Sequence, residues 1–145
     1  MKQMTVNDAL IGKIKSGDHR LYVVSDGDLV LYVGKSTDPI DRIQAHCGGG
    51  RFGWAGASLL GETIKDNLPE SRTWTVTMYT LPECQTRDMD MAEQELIRVM
   101  RPCLNVSYNS NGQTLPEKYR KDDDGLLMSQ AAIDAVNATA WGRKR

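Results

Sequence analysis

Two tyrosines, an arginine, a histidine and a glutamate, spread between Tyr22 and Glu93, have the types and spacing that suit chemistry. Arg42 and His46 stand four apart beside Ile40 and Ile43, so on a helix both reach one side, where they can share a phosphate. A solvated helix face is the plainer use of such a pair. On a later helix Glu93 shares the angular position of Met89, Leu96 and Met100, at about 100° per residue. A carboxylate beside an apolar stripe needs a partner or a cation, whereas Glu95 falls on the opposite, solvated face. Lys35 directly follows Gly34, and a strand end without a side chain lets a phosphate come close to the backbone.

Tyr22 and Tyr32 lie on either side of Asp26-Gly27-Asp28, and loop parity decides whether they share a face. A two-residue Asp-Gly turn pairs Tyr22 with Leu31. A three-residue loop pairs Ser25 with Leu29 and sets Tyr22 opposite Tyr32, with both hydroxyls on one face. Chemistry shared between the phenols needs the second register; as single residues, both tyrosines suit a core equally well.

The elements that must position these groups can be read in order. Val6, Leu10, Ile11 and Ile14 recur at helical spacing from Thr5 to Lys15, and Gly17 stops the pattern. Leu21–Ser25 and Leu29–Gly34 are dense in Val, Leu and Tyr and form a hairpin. Ser36-Thr37-Asp38-Pro39 starts a helix that runs from about Pro39 to Cys47 and ends at Gly48-Gly49-Gly50. A second helical pattern covers Ala57 to Asn67, a third strand Trp74 to Leu81, and another helix Arg87 to Met100, closed by Pro102. An Ala-rich helix is expected from Leu126 to Ala140. The order predicts an α+β fold: a small three-stranded antiparallel sheet flanked by helices, with a C-terminal helical tail. The expected divisions are a helical extension over residues 1–18, a central domain over 19–109 and a tail over 110–145.

Composition narrows the classes. A chain of 145 residues, 40% of them hydrophobic, builds one compact core but hardly two. No apolar run approaches a membrane span and Met1-Lys2-Gln3-Met4-Thr5 lacks a secretion-signal layout, so a cytoplasmic protein without a membrane partner is expected. Cys47, Cys84 and Cys103 are odd in number and widely spaced, which suggests reduced thiols rather than disulfides or structural zinc. A formal charge of -1 disfavours a globally basic nucleic-acid coat, so any nucleic acid must meet a local patch. Gly48-Gly49-Gly50-Arg51-Phe52-Gly53-Trp54 combines flexibility, charge and aromatic surface in a way that suits a nucleic-acid contact loop, and equally an ordinary connector. Asp122-Asp123-Asp124 reads as a solvated run capping the last helix, and Arg143-Lys144-Arg145 as a basic end that suits DNA or simple solvation.

Five short motifs then fall in one frame. Leu21-Tyr22 and Tyr32-Val33-Gly34 end two tripeptides, Lys35-Ser36 follow, and Arg42 and His46 make an Arg-x-x-x-His. Glu93, Leu96-Ile97, Pro102 and Asn105 complete the frame, which resembles that of the GIY-YIG nuclease superfamily over about Arg20 to Asn105. Arg20 departs from it, standing where the family has a glycine. The resemblance implies the GIY-YIG nuclease fold and a metal-dependent endonuclease acting on DNA, as monomer or homodimer. No reader of 2′-hydroxyls is identifiable, so RNA stays open as a substrate. Tyr22, Tyr32, Lys35, Arg42, His46 and Glu93 are the implied catalytic group, with Gly34, Ser36, Arg51 and Asn105 against the substrate. A tyrosine, Tyr22 first and Tyr32 second, takes the proton of an attacking water, Arg42 meets the charge on the phosphoryl oxygens, and Glu93 holds one Mg²⁺ or Mn²⁺. Because a free tyrosine has a pKa of about 10, Lys35 or His46 must favour its ionised form or accept its proton. The competing expectation is a catalytically idle module that binds nucleic acid or protein in the same cleft.

Overall fold

A computed structural model describes residues 1–48 and 58–120 of the chain. Arg51, the rest of the glycine-rich loop beyond Gly48, the Asp122–Asp124 run, the expected helix from Leu126 to Ala140 and the basic end lie outside the described residues. Four strands form one antiparallel sheet: β1 (Lys2–Thr5), β2 (His19–Asp26), β3 (Leu29–Lys35) and β4 (Thr75–Thr80), in the order β1-β4-β2-β3. The helices are α1 (Val6–Leu10), α2 (Pro39–His46), α3 (Leu59–Asp66) and α4 (Met89–Met100). No helix among the described residues is long and apolar enough to cross a membrane.

The sheet has four strands where the sequence predicts three. Lys2–Thr5 pairs with Thr75–Met78 at the sheet edge, so the first residues enter the sheet ahead of the helix. Thr5 ends this strand and caps α1: its hydroxyl accepts from the Asp8 amide, and Asp8 accepts from the Thr5 amide in return. The helix then stops at Leu10 and leaves Ile11 exposed, shorter than its periodicity suggests. Beyond residue 109, Leu115 and Tyr119 are buried in the main core, and the Tyr119 ring meets Trp74 edge-on.

Two bulges shape the strands that carry the tyrosines. The turn is Gly27-Asp28, with Asp26 opposite Leu29 and Ser25 opposite Val30; Val24 then faces Tyr32, which makes Leu31 an extra residue. Tyr22 consequently faces Gly34, so neither register considered from the sequence forms. The extra residue still places Tyr22 and Tyr32 on one face, because it shifts the side-chain parity by one. The second bulge lies against β4 at Arg20, between His19 opposite Thr80 and Leu21 opposite Tyr79. Arg20 thus occupies an irregular position of the strand, and its guanidinium donates to the carbonyls of Gly17 and His19.

The two sheet faces are covered differently. Tyr22, Val24, Tyr32, Val76 and Met78 join α1, α2, α3 and the segment around Leu104 and Leu115 in one large cluster. Val23, Val33 and Ile97 form a small one beneath α4, with Leu96 and Met100 packed on it.

Candidate functional site

Tyr22, on β2, is 1% exposed, and its ring lies across Gly34 of the neighbouring strand. A Cβ on Gly34 would stand 2.2 Å from the Tyr22 ring, so the space left by the glycine is taken by the phenol rather than offered to a phosphate. Tyr32 is 4% exposed, with its ring centroid 6.1 Å from that of Tyr22. His46, in the last turn of α2, completes the aromatic group, its ring 5.4 Å from Tyr32 and 6.2 Å from Tyr22.

The polar contacts run in a chain. The Tyr22 hydroxyl lies 2.9 Å from His46 Nε2, and the other ring nitrogen, Nδ1, lies 2.7 Å from Ser58 Oγ. Arg42, one helical turn before His46, acts on the Tyr22 hydroxyl and favours its ionised form. Burial raises the Tyr22 pKa well above the ordinary tyrosine value, Tyr32 adds to the rise, Arg42 opposes it by charge, and Glu93 again raises it. Tyr22, Tyr32, Arg42 and Glu93 therefore form one electrostatic group, although they come from β2, β3, α2 and α4.

Local sequence accounts for this placement. Asp38 caps α2 through the Asp41 amide and is held by Ser16, whose hydroxyl donates to Asp38 and accepts from the Ile40 amide. That fixes the start of the helix on which Arg42 and His46 lie one turn apart. Gly61 lets α3 press against the end of α2, since a Cβ there would meet the His46 carbonyl oxygen at 1.7 Å. Ser58, which caps α3 through the Gly61 amide, is thereby brought to the histidine.

Glu93 is half-buried on α4 and Glu95 is exposed, ion-paired with Arg98, as the helical spacing predicts. Lys35 pairs with Asp90 in the first turn of α4, which ties the end of β3 to the helix that carries Glu93. The charges acting on Tyr22 come instead from Tyr32, Arg42 and Glu93. Ser36 is turned to α2, its hydroxyl accepting from the Asp38 amide. Asn105 is buried and holds the backbone of Val33 at both ends: its Oδ1 accepts from the amide at 2.9 Å and its Nδ2 donates to the carbonyl at 2.8 Å. The side chain thus serves the outer edge of β3, and its amide is occupied there rather than turned to a substrate. Cys47, Cys84 and Cys103 are free thiols.

Sequence reasoning passed over Ser58 and Asp90. Ser58, standing before Leu59-Leu60, is legible as a helix cap, but its second partner lies on another helix. Nothing local distinguishes Asp90 from any acidic residue in a first helical turn.

Among the described residues no three His, Cys, Asp or Glu side chains gather into a protein-only metal cage. Glu93, a half-buried carboxylate, fits a hard cation that keeps most of its ligands as water and phosphate oxygen. Compared with protein-family models, with curated proteins and with solved structures, the chain gives no match.

Proposed function

We propose that the chain is a metal-dependent endonuclease of the GIY-YIG type that hydrolyses phosphodiester bonds in DNA. The observation that carries this reading is the Tyr22 hydroxyl 2.9 Å from His46 Nε2, within the field of Arg42 and Glu93. Phenol, imidazole, guanidinium and carboxylate can together serve in-line attack on a phosphodiester, and they come from three separate elements, β2, α2 and α4.

In the proposed reaction, the attacking water gives a proton to Tyr22 as Tyr22 passes its own to His46 Nε2. This transfer suits a buried phenol that resists ionisation, because the tyrosine need not exist as a free anion. Arg42 meets the negative charge that builds on the phosphoryl oxygens. Glu93 is the residue that would hold one Mg²⁺ or Mn²⁺, which when bound supplies stabilisation of the departing oxygen. With Lys35 paired to Asp90, His46 is the better supported proton acceptor of the two candidates.

One observation favours a second reading. Tyr22 and Tyr32 are almost wholly covered, as a core pair would be, and an idle module that binds nucleic acid without cutting it needs no reachable phenol. Incubation with supercoiled plasmid, with Mg²⁺ or Mn²⁺ and again in excess chelator, decides between the two. The nuclease reading expects nicked or linear product that disappears with chelator. Full cleavage in chelator would remove the metal from the mechanism, and tight binding with no cleavage under either metal would establish the binding module. A branched DNA and an RNA of matched length in the same assay choose the substrate class.

A further inference from the structure

We propose that Ser58 is a positioning residue that anchors the His46 ring with its proton on Nδ1, so that the lone pair of Nε2 faces the Tyr22 hydroxyl. The argument is one of hydrogen-bond satisfaction. The Tyr22 hydroxyl carries a proton, and burial favours that protonated form. The phenolic proton, buried with Tyr22 at 1% exposure, then needs an acceptor, and His46 Nε2 stands 2.9 Å away. A neutral imidazole that accepts at Nε2 carries its proton on Nδ1, where Ser58 Oγ lies at 2.7 Å. Ser58 Oγ can take this bond together with that from the Gly61 amide, because a hydroxyl oxygen has two lone pairs, and a half-buried site leaves its own proton free of both bonds. The opposite tautomer would set a donor against the phenolic oxygen and leave the buried O–H without His46 as its acceptor.

Ser58 thereby joins a structural duty to a chemical one. As the cap of α3 it is held by the helix start, and Gly61 brings that start against the end of α2. The orientation of the histidine thus depends on the packing of two helices rather than on its own rotamer. Only the kinetic arm of the test below rests on the proposed nuclease reaction; the tautomer is a property of the chain alone.

The chain has two histidines, which makes nitrogen-15 NMR of the imidazoles direct. His19 is the internal reference: its Nδ1 lies 2.9 Å from the Ser16 carbonyl, which only accepts, so its neutral ring also carries the proton on Nδ1. The expected spectrum of the parent shows both neutral rings in the Nδ1–H form. In Ser58→Ala the His46 nitrogens move toward averaged values while those of His19 stay in place. Ser58→Thr retains the parent pattern, and Ser58→Asp, which still caps α3 and can only accept, keeps Nδ1 protonated even if the alanine variant unfolds. Plasmid cleavage should slow about tenfold or more in Ser58→Ala and recover in Ser58→Thr. A parent ring, or an Asp-variant ring, in the Nε2–H form would overturn the inference, as would an alanine variant with unchanged nitrogen shifts. A parent with the expected tautomer that never cuts refutes the nuclease reading and leaves the role of Ser58 in orienting the ring supported.

Discussion

The two faces of the sheet differ in how much they bury and in what they contribute to the site. On the face that packs against α1, α2 and α3, Tyr22, Tyr32 and many neighbours form a thick core, and Tyr22 is locked between Gly34 and His46. On the other, α4 covers only Val23, Val33 and Ile97, with Leu96 and Met100 beside them. The groups proposed to move the proton lie on the thick side, and the proposed metal ligand rides on the helix of the thin side. Less buried apolar surface means a lower cost of local adjustment, so α4 is the element better able to shift when a cation or a phosphate arrives. Lys35–Asp90 limits that shift, although an ion pair so exposed contributes little stability, on the order of 0–1 kcal/mol.

The sharpest test of this contrast uses the two glutamates of α4. Glu93→Gln keeps shape and removes the charge a cation requires; cleavage is expected to fall by about a thousandfold or more while nucleic-acid binding is kept or improves through lost phosphate repulsion. Glu95→Gln, on the exposed face, should cut at nearly the parental rate. Turnover and affinity of both variants on one substrate, with circular dichroism as the check on folding, give the answer, and equal activity in the two would mean that the metal has been misplaced.

A smaller effect is expected on the thick side. Tyr22→Phe should slow cleavage by about a hundredfold, the lower range for losing a proton-transfer group, with substrate affinity little changed. A normal rate in this variant would move the base role to Tyr32. Next comes Gly34→Ala, which drives a methyl into the buried Tyr22 ring and should cost about 1–3 kcal/mol of stability, read by denaturant unfolding, because the ring has no open space to enter. An alanine variant as stable as the parent would show that the ring can be displaced cheaply and that the thick side is looser than its packing indicates.

The smallest effect is one of pH. Cys47 and Cys103 both contact the thick core, and burial pushes each thiol up to about 11, from an ordinary value of 9.0. A raised folded pKa means that the native chain holds a proton the unfolded chain releases. The contribution is therefore complete below about pH 9 and is lost as pH rises through about 11. Denaturant unfolding on either side of that window should show the decline, and a Cys47→Ala, Cys103→Ala double variant should show a shallower one. Identical slopes would place the alkaline sensitivity elsewhere in the fold.

Much of the local architecture was legible in residue order. The Asp38-Pro39 start of α2, the strand at Thr75–Thr80 and the facing of Glu93 against Glu95 all follow from capping, propensity and helical period, which act over a few residues. Lys2–Thr5 escaped because an edge strand this short is defined by its partner, Thr75–Met78, rather than by its own composition.

The sequence by itself determined which chemical groups the chain carries and the helical spacing that sets Arg42 and His46 one turn apart. Tertiary structure decided what those groups touch. The Leu31 bulge, invisible to a two-or-three-residue loop argument, put both tyrosines on one face, and Gly34 became the seat of the Tyr22 ring. Lys35 was drawn to Asp90 and Asn105 to the Val33 backbone. The physical reason is common to all of these: periodicity and capping are local, whereas strand register, ring packing and the satisfaction of buried hydrogen bonds depend on partners that only the folded chain brings within reach.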